Sequence, residues 1–389
     1  MKYMGSKRYM LSNGLGEMLL REAPAFERVV DLFCGAAAIS RYVARSCAVP
    51  VLAVDLQQYA TALAAAVVTR TKTLKHEAVA SRWLARIEPL IRRSPLYKEA
   101  QRIESSRLPI SSRVAEAMTL CSDLSLVGPI WNAYGGHYYS PTQALFLDYL
   151  RRYIPDDDAE RAVCLAATLI TASKAASSPG HTAQPFATTE TAGPFIEQCW
   201  KRDILATARL ALKELCAEHA KKKGATRTGD AVKVADDMTS RDLVIVDPPY
   251  SAVQYSRFYH VLETLAIGKR IVVSGRGRYP PPEQRPQSDF SKITTSRDAF
   301  TTLLRKLGEA GSSVIVTFPA NTCSTSVSGD DVVTIAKEWF RVEDRKITGK
   351  FSTLGGNNTV RDGRQPSLEL LLLLRPLKKQ ARPSRRASR

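Results

Sequence analysis

The chain is poor in several things that would direct a function elsewhere. Its 7 cysteines in 389 residues are scattered at positions 34, 47, 121, 164, 199, 216 and 323, with no Cys-x-x-Cys and no Cys/His cluster. That pattern argues against structural zinc and for a reducing, cytoplasmic setting. Long apolar runs are missing too. The longest, Leu370 to Leu374, is far too short to span a bilayer, and Met1-Lys2-Tyr3-Met4-Gly5 lacks the apolar core of a signal peptide. Neither a membrane partner nor a secretion signal is expected. No internal repeat is evident, and the dinucleotide fingerprint Gly-x-Gly-x-x-Gly is absent. Acid is scarce: 38 Asp and Glu face 56 Lys and Arg, for a net charge of +18. Such a surplus implies a polyanionic partner, most simply nucleic acid, against the plainer readings of added solubility or an acidic membrane surface.

What is present is ordinary in bulk. A hydrophobic content of 44% is ample for a packed core, and 24% of residues are charged. The length suits two domains, or one α/β domain with a large insertion.

The stretch with most chemical content is Asp242 to Tyr250, Asp-Leu-Val-Ile-Val-Asp-Pro-Pro-Tyr. Leu243 to Val246 read as a buried parallel strand, too short and too β-branched for a helix. Pro248 and Pro249 lack the N–H needed to continue a ladder, so the chain turns outward at the strand's carboxyl end. Ligands sit at that edge in open α/β sheets. Asp247 is thereby held at a rigid strand end with Tyr250 just beyond it. A carboxylate and the backbone carbonyl of Pro248 could each accept one N–H of an exocyclic aromatic amine, and the Tyr250 ring could stack on a base taken out of its helix. The bland reading is a strand that ends in an Asp-Pro-Pro turn.

Elsewhere the chain alternates strand and helix at both ends and turns helical in the middle. Lys7 and Arg8 open a short helix that runs to about Arg21. Glu27 to Phe33 read as a strand, followed by the small-residue turn Cys34-Gly35-Ala36-Ala37-Ala38 and an apolar helix from Ile39. Strand, small turn and helix form a cofactor-binding opening, because the backbone can approach a ligand at a helix N-terminus. Val51 to Asp55 is a strand ending in an acid, where a ribose-binding carboxylate belongs; alternatively Asp55 caps the helix from Gln57.

From about Lys72 to Lys233 the pattern is helical. Arg82, Arg86, Arg92, Arg93, Lys98, Arg102, Arg107 and Arg113 could track a phosphate backbone, although a solvated helix face is the simpler reading. Trp131 to Tyr139 and Ala172 to Phe186 read as aromatic, Gly-bearing loops that carry function, with His137 and His181 as base or DNA contacts. Residues 268–295 form a basic, Pro-rich loop. Ser313 to Phe318, Arg341 to Ile347 and Ser367 to Leu374 read as the last strands, and Lys378 to Arg389 as a disordered basic tail that adds phosphate binding.

These segments together, and in this order, resemble the class α adenine-N6 DNA methyltransferases, the D12 or Dam-like family. Lys2-Tyr3-Met4-Gly5-Ser6-Lys7 resembles its N-terminal cofactor motif, Asp31-Leu32-Phe33-Cys34-Gly35 its Phe-x-Gly motif, Asp55 its acidic strand end, and Asp247-Pro248-Pro249-Tyr250 its catalytic motif. The matches are short islands spread over nearly the whole chain, and the catalytic tetrad is the specific one. The resemblance implies a Rossmann-like α/β methyltransferase sheet over residues 1–71 and 234–376, a mostly helical target-recognition insertion over 72–233 and the tail 377–389. It implies S-adenosylmethionine as methyl donor and double-stranded DNA as substrate, in a bacterial or phage-encoded cytoplasmic enzyme. A restriction endonuclease or defence-system proteins would be its further partners. Tyr3 and Lys7 would contact the cofactor, and Asp31, Phe33, Gly35 and Asp247 would line its pocket. Asp55 would take the ribose, and Asp236 or Asp237 the adenine. Asp247, Pro248 and Tyr250 would engage the target base, with no metal required.

Two departures carry expectations of their own. Ala37 stands where the family usually has Gly and would narrow the methionine pocket, and the long insertion shows no recognition helix. The competing readings are an RNA adenine-N6 or DNA cytosine-N4 methyltransferase, and a non-catalytic DNA-binding module on the same fold. Asp247 in place of the Ser usual in cytosine-N4 enzymes favours adenine.

Overall fold

The computed structural model describes residues 7–122, 128–352 and 364–377. Tyr3 and the segment 378–389 lie outside them.

A seven-stranded sheet in the order β3-β2-β1-β4-β5-β7-β6 organises the chain. The strands are β1 (Arg28–Asp31), β2 (Val51–Asp55), β3 (Ala225–Thr228), β4 (Asp242–Val246), β5 (Ser313–Pro319), β6 (Phe340–Ser352) and β7 (Arg364–Pro376). β1 to β5 pair in parallel, and β7 runs antiparallel between β5 and β6. The central strands are β-branched runs because both of their faces are covered. Period-two alternation divides them. Leu243 and Ile245 join the core on one face with Val29, Val51 and Ile315, while Val244 and Val246 join the other with Val30, Val54, Val314 and Val316.

The second face is covered by a helix over Ser296–Ala310 and another over Gly329–Lys337. The first is covered by α1 (Ala38–Ser46) and α2 (Gln58–Val68), and then by the helices of the insertion. Among these, α3 (His76–Arg92), α4 (Asp158–Ala175) and α5 (Ile204–Ala217) supply Trp83, Ile87, Ala167, Leu212 and Leu215 to the same core as the sheet. The insertion is therefore the long β2–β3 crossover, and it shares one hydrophobic core with the sheet. The sheet resumes at Ala225, inside the segment expected to be all insertion. Ala-Thr-Arg-Thr is a mostly exposed edge strand, so it carries no apolar run to announce it.

The aromatic segment around Trp131 packs rather than projects. Trp131, Tyr134, Tyr138 and Tyr139 are fully buried. The Tyr138 hydroxyl shares its one proton between the carbonyls of Thr182 at 2.7 Å and Gly277 at 2.9 Å. It thereby ties the insertion to the loop after α6 (Tyr255–Ile267). No helix among the described residues is long and apolar enough to cross a membrane.

Candidate active site at the carboxyl ends of the strands

β1, β2 and β3 succeed one another in one direction across the sheet, and β4 and β5 in the other. The strand order thus reverses between β1 and β4, and crevices outside the carboxyl ends at such a switch point are where open α/β sheets bind ligands. A pocket of about 980 Å³, counting the part open to solvent, lies there. Its wall includes Lys7, Asp31, Phe33, Gly35, Asp55, Asp230, Asp247, Pro248 and Tyr250.

Asp31 ends β1 and is 1% exposed. Its Oδ2 accepts the Ser40 hydroxyl at 2.6 Å, whereas Oδ1 is buried without a hydrogen-bond partner. Burial pushes its pKa up to about 7, and the Ser40 hydroxyl and the Phe33 amide only partly offset this. The turn after β1 brings the backbone back towards β2. Gly35 adopts a left-handed φ of 49°, and its amide donates to Asp55 Oδ2 at 2.9 Å.

Asp55 Oδ1 accepts the Gln57 amide at 2.9 Å. Burial raises the Asp55 pKa to about 6 against the pull of these amides. Asp55 is not the cap of α2. The amides of Gln58 and Tyr59 go instead to Glu263 of α6, at 3.0 and 2.9 Å. That leaves the Asp55 carboxylate at the pocket wall with acceptor capacity to spare. Gln57, also on the wall, has a buried Nε2 without a partner.

The chain leaves β3 through Gly229 and Asp230, both on the pocket wall. Asp230 Oδ1 accepts the amides of Val232 and Lys233. Asp236 and Asp237, expected here, are not on this wall. Asp236 pairs with Lys306 at 2.7 Å, and Asp237 with Arg227 at 2.5 Å. They sit on the short helical turn Ala235–Asp237 that leads away towards β4.

β4 delivers Asp247. Its Oδ1 faces Lys7 Nζ at 3.1 Å and accepts the Thr317 hydroxyl of β5 at 2.8 Å. Lys7 also reaches Glu369 of β7 at 3.4 Å, and its ammonium lies 5.9 Å from the Tyr250 ring centroid. Burial pulls the Lys7 pKa down, but Asp247 and Glu369 together hold it above its ordinary value. Burial moves Asp247 up, with Lys7 and Thr317 acting against it. Tyr250 is pushed up to about 12 by burial, and the Tyr255 hydroxyl hydrogen-bonds to it. Phe33 stands edge-on to Phe290, 5.1 Å between centroids, and both line the pocket.

The structure thus gathers Lys7, Asp31, Phe33, Gly35, Asp55, Asp247, Pro248 and Tyr250 around one space. Ala37 does not narrow it. Its φ is 59° and its side chain is fully buried in the core, while Ala36 and Ala38 face the pocket. His137 and His181 are also elsewhere. Burial lowers the pKa of His137 to about 4, and that of His181 also falls. His181 packs on Phe258 with 4.4 Å between centroids, and its Nδ1 accepts the Ala183 amide. Among the described residues no group of three His, Cys, Asp or Glu could hold a metal ion.

Gln57 and Asp230 on the wall, and Thr317 and Glu369 behind Asp247 and Lys7, belong to no recognisable motif. Thr317 and Glu369 do carry a signal, since each is a polar residue flanked on both sides by apolar ones. No protein-family model matches the chain, and no curated protein matches it.

Proposed function

We propose that the protein is an S-adenosylmethionine-dependent methyltransferase that modifies the N6 amine of adenine in double-stranded DNA. The arrangement at Asp247 carries the reading. Oδ1 is occupied by Lys7 and Thr317, which leaves Oδ2 for a substrate amine at a rigid strand end beside Tyr250. An exocyclic aromatic amine is a poor nucleophile because its lone pair is delocalised into the ring. Asp247 Oδ2 accepting one N–H and the Pro248 carbonyl accepting the other draw the nitrogen towards a tetrahedral geometry. The Tyr250 ring offers a flat surface to a base taken out of the duplex. Burial makes Asp247 a stronger base than an exposed carboxylate, which suits it to take the proton that leaves the amine. Most of the acceleration would come from positioning.

The residues fit the cofactor. S-adenosylmethionine brings a methyl group on a sulfonium, together with an ammonium, a ribose diol and an adenine. Asp31 offers a buried acceptor without a partner, suited to the ammonium. Asp55 has acceptor capacity for the ribose, and Phe33 and Gly35 supply the wall. Asp230 and the unpartnered Gln57 Nε2 offer an acceptor and a donor for the adenine. Lys7 between Asp247 and Glu369 leaves one uncompensated negative charge, which favours a cationic ligand.

The test is nucleoside analysis after incubating the protein with labelled S-adenosylmethionine and duplex DNA. Label is expected in N6-methyladenine and is expected to vanish in Asp247→Ala, with cofactor binding retained as the control for folding. Label in RNA alone would move the substrate. Full activity of Asp247→Ala would overturn the assignment.

A further inference from the structure

We propose that Arg257, Tyr279 and Arg285 form a phosphodiester-binding site at the pocket rim that grips the DNA strand beside the extruded base. This rests on the reading of the pocket as one that accepts a base. Arg257 follows the pocket residues Tyr255 and Ser256, and Arg285 precedes the pocket residue Pro286. The two arrive from different elements, α6 and the loop after it, and converge on one ring. Their guanidinium carbons lie 4.8 and 5.6 Å from the Tyr279 centroid.

The platform is fixed in place. The Tyr279 hydroxyl donates to the Ala183 carbonyl, its backbone bridges Ser274, and its ring lies 4.9 Å from that of His260. Arg285 Nε donates to the Pro280 carbonyl at 3.0 Å, which orients the group while its terminal N–H donors stay available. A guanidinium already held in place loses less freedom when it binds an oxyanion.

Several arginines of the insertion are already matched by acids. Within the insertion, Arg82 pairs with Glu160, Arg92 with Glu88, Arg102 with Glu99 and Arg113 with Glu197. Neither Arg257 nor Arg285 has a carboxylate within ion-pair distance among the described residues. Glu283 is felt by Arg285 but makes no ion pair with it, and burial followed by the Arg257 charge lowers the Arg285 pKa. Two cations held on one ring without an acid repel each other, and a phosphate between or beside them relieves that. Pinning the loop to α6 is the competing role, but it needs only one of the two cations.

The experiment measures binding of a labelled mixed-sequence duplex to the full chain by fluorescence anisotropy across a salt series. Arg257→Ala/Arg285→Ala is expected to lower the slope of log K against log salt by about one to two, at ~0.9 per lost phosphate contact. Arg82→Ala, which removes an internally paired charge, is expected to leave the slope unchanged. Tyr279→Leu keeps the net charge but removes the platform, and is expected to weaken binding at least threefold. Cofactor binding, measured by calorimetry, is expected to be unaltered in all three. An unchanged slope in the double variant overturns the site, as does a loss equal to that of Arg82→Ala, or a loss seen with RNA but not with DNA. A lowered slope from a wild-type protein that transfers no methyl group keeps the phosphate site and removes the catalytic reading. Methyl transfer with an unchanged slope does the reverse.

Discussion

Thr317 shows how much a single hydroxyl can decide. It donates to the same Asp247 oxygen that faces Lys7, so it fixes which carboxylate oxygen remains for a substrate and helps keep the group ionised. A hydrogen bond to a charged acceptor contributes about 1.5–3 kcal/mol. Thr317→Val is therefore expected to lower kcat roughly tenfold or more. The acidic limb of its pH–rate profile is expected at higher pH, because the hydroxyl favours the charged form. KM for the cofactor should hold, and Thr317→Ser should restore both kcat and the limb. A purely structural threonine would change thermal stability without moving the limb.

Asp31 works in the opposite sense. Its folded-state pKa of about 7 lies above the unfolded carboxylate value of ~3.9, so the folded ligand-free chain binds the proton more tightly. The stability this gives is fully present below about pH 4 and is lost as pH rises through about 7, with an upper size on the order of 4 kcal/mol. The thermal midpoint without cofactor is expected to fall between pH 5 and pH 8, and less steeply in Asp31→Asn. Cofactor affinity, if Asp31 accepts the ammonium, is expected to rise over the same range in the wild type and to stay flat in that variant. Equal slopes in the two proteins would remove Asp31 from both roles.

At the scale of elements, legibility tracked burial. β2, β4 and β5 are continuous buried apolar runs, and the sequence outlines them almost residue for residue. The acids that end β1, β2 and β4 could be found because each closes such a run or stands in a recognisable motif. β3 could not be found this way. It is a mostly exposed edge strand, Ala-Thr-Arg-Thr, without an apolar run, so the sequence points to Asp236 or Asp237 rather than to Asp230, which lies on the pocket wall. Gln57 reaches the pocket wall through turn geometry, and the pairing of Glu369 with Lys7 depends on strand register, neither of which spacing along the chain encodes. The element-level consequence can be measured. Asp230→Ala is expected to weaken cofactor binding about tenfold, one charged hydrogen bond's worth. Asp236→Ala and Asp237→Ala, which only break ion pairs made by largely exposed carboxylates, are expected to leave it within twofold. A loss confined to Asp236→Ala or Asp237→Ala would return the adenine acid to the position the sequence suggested.

For the whole molecule, the shared core matters more than any boundary. The sequence divides naturally into a sheet and a helical insertion, because the strand pattern lapses after α2. Yet α4 packs against both α2 and α5, and the insertion's Trp83, Leu145 and Leu169 belong to the same buried cluster as Val29, Val51 and Ile245 of the sheet. Units that merely touch can open independently, whereas units that fill one interior lose their packing together. The Tyr138 hydroxyl, held by carbonyls from both the insertion and the loop after α6, adds a polar tie across the same junction. The chain from the first strand through the insertion to the last strand is thus expected to unfold in one calorimetric transition. Leu145→Ala, within the insertion, should destabilise by about 2–5 kcal/mol and lower that single midpoint without splitting it. Two transitions, with Leu145→Ala moving only one, would show that the insertion is a domain of its own. It could then swing relative to the pocket, rather than forming a fixed wall beside the rim that Arg257 and Arg285 occupy.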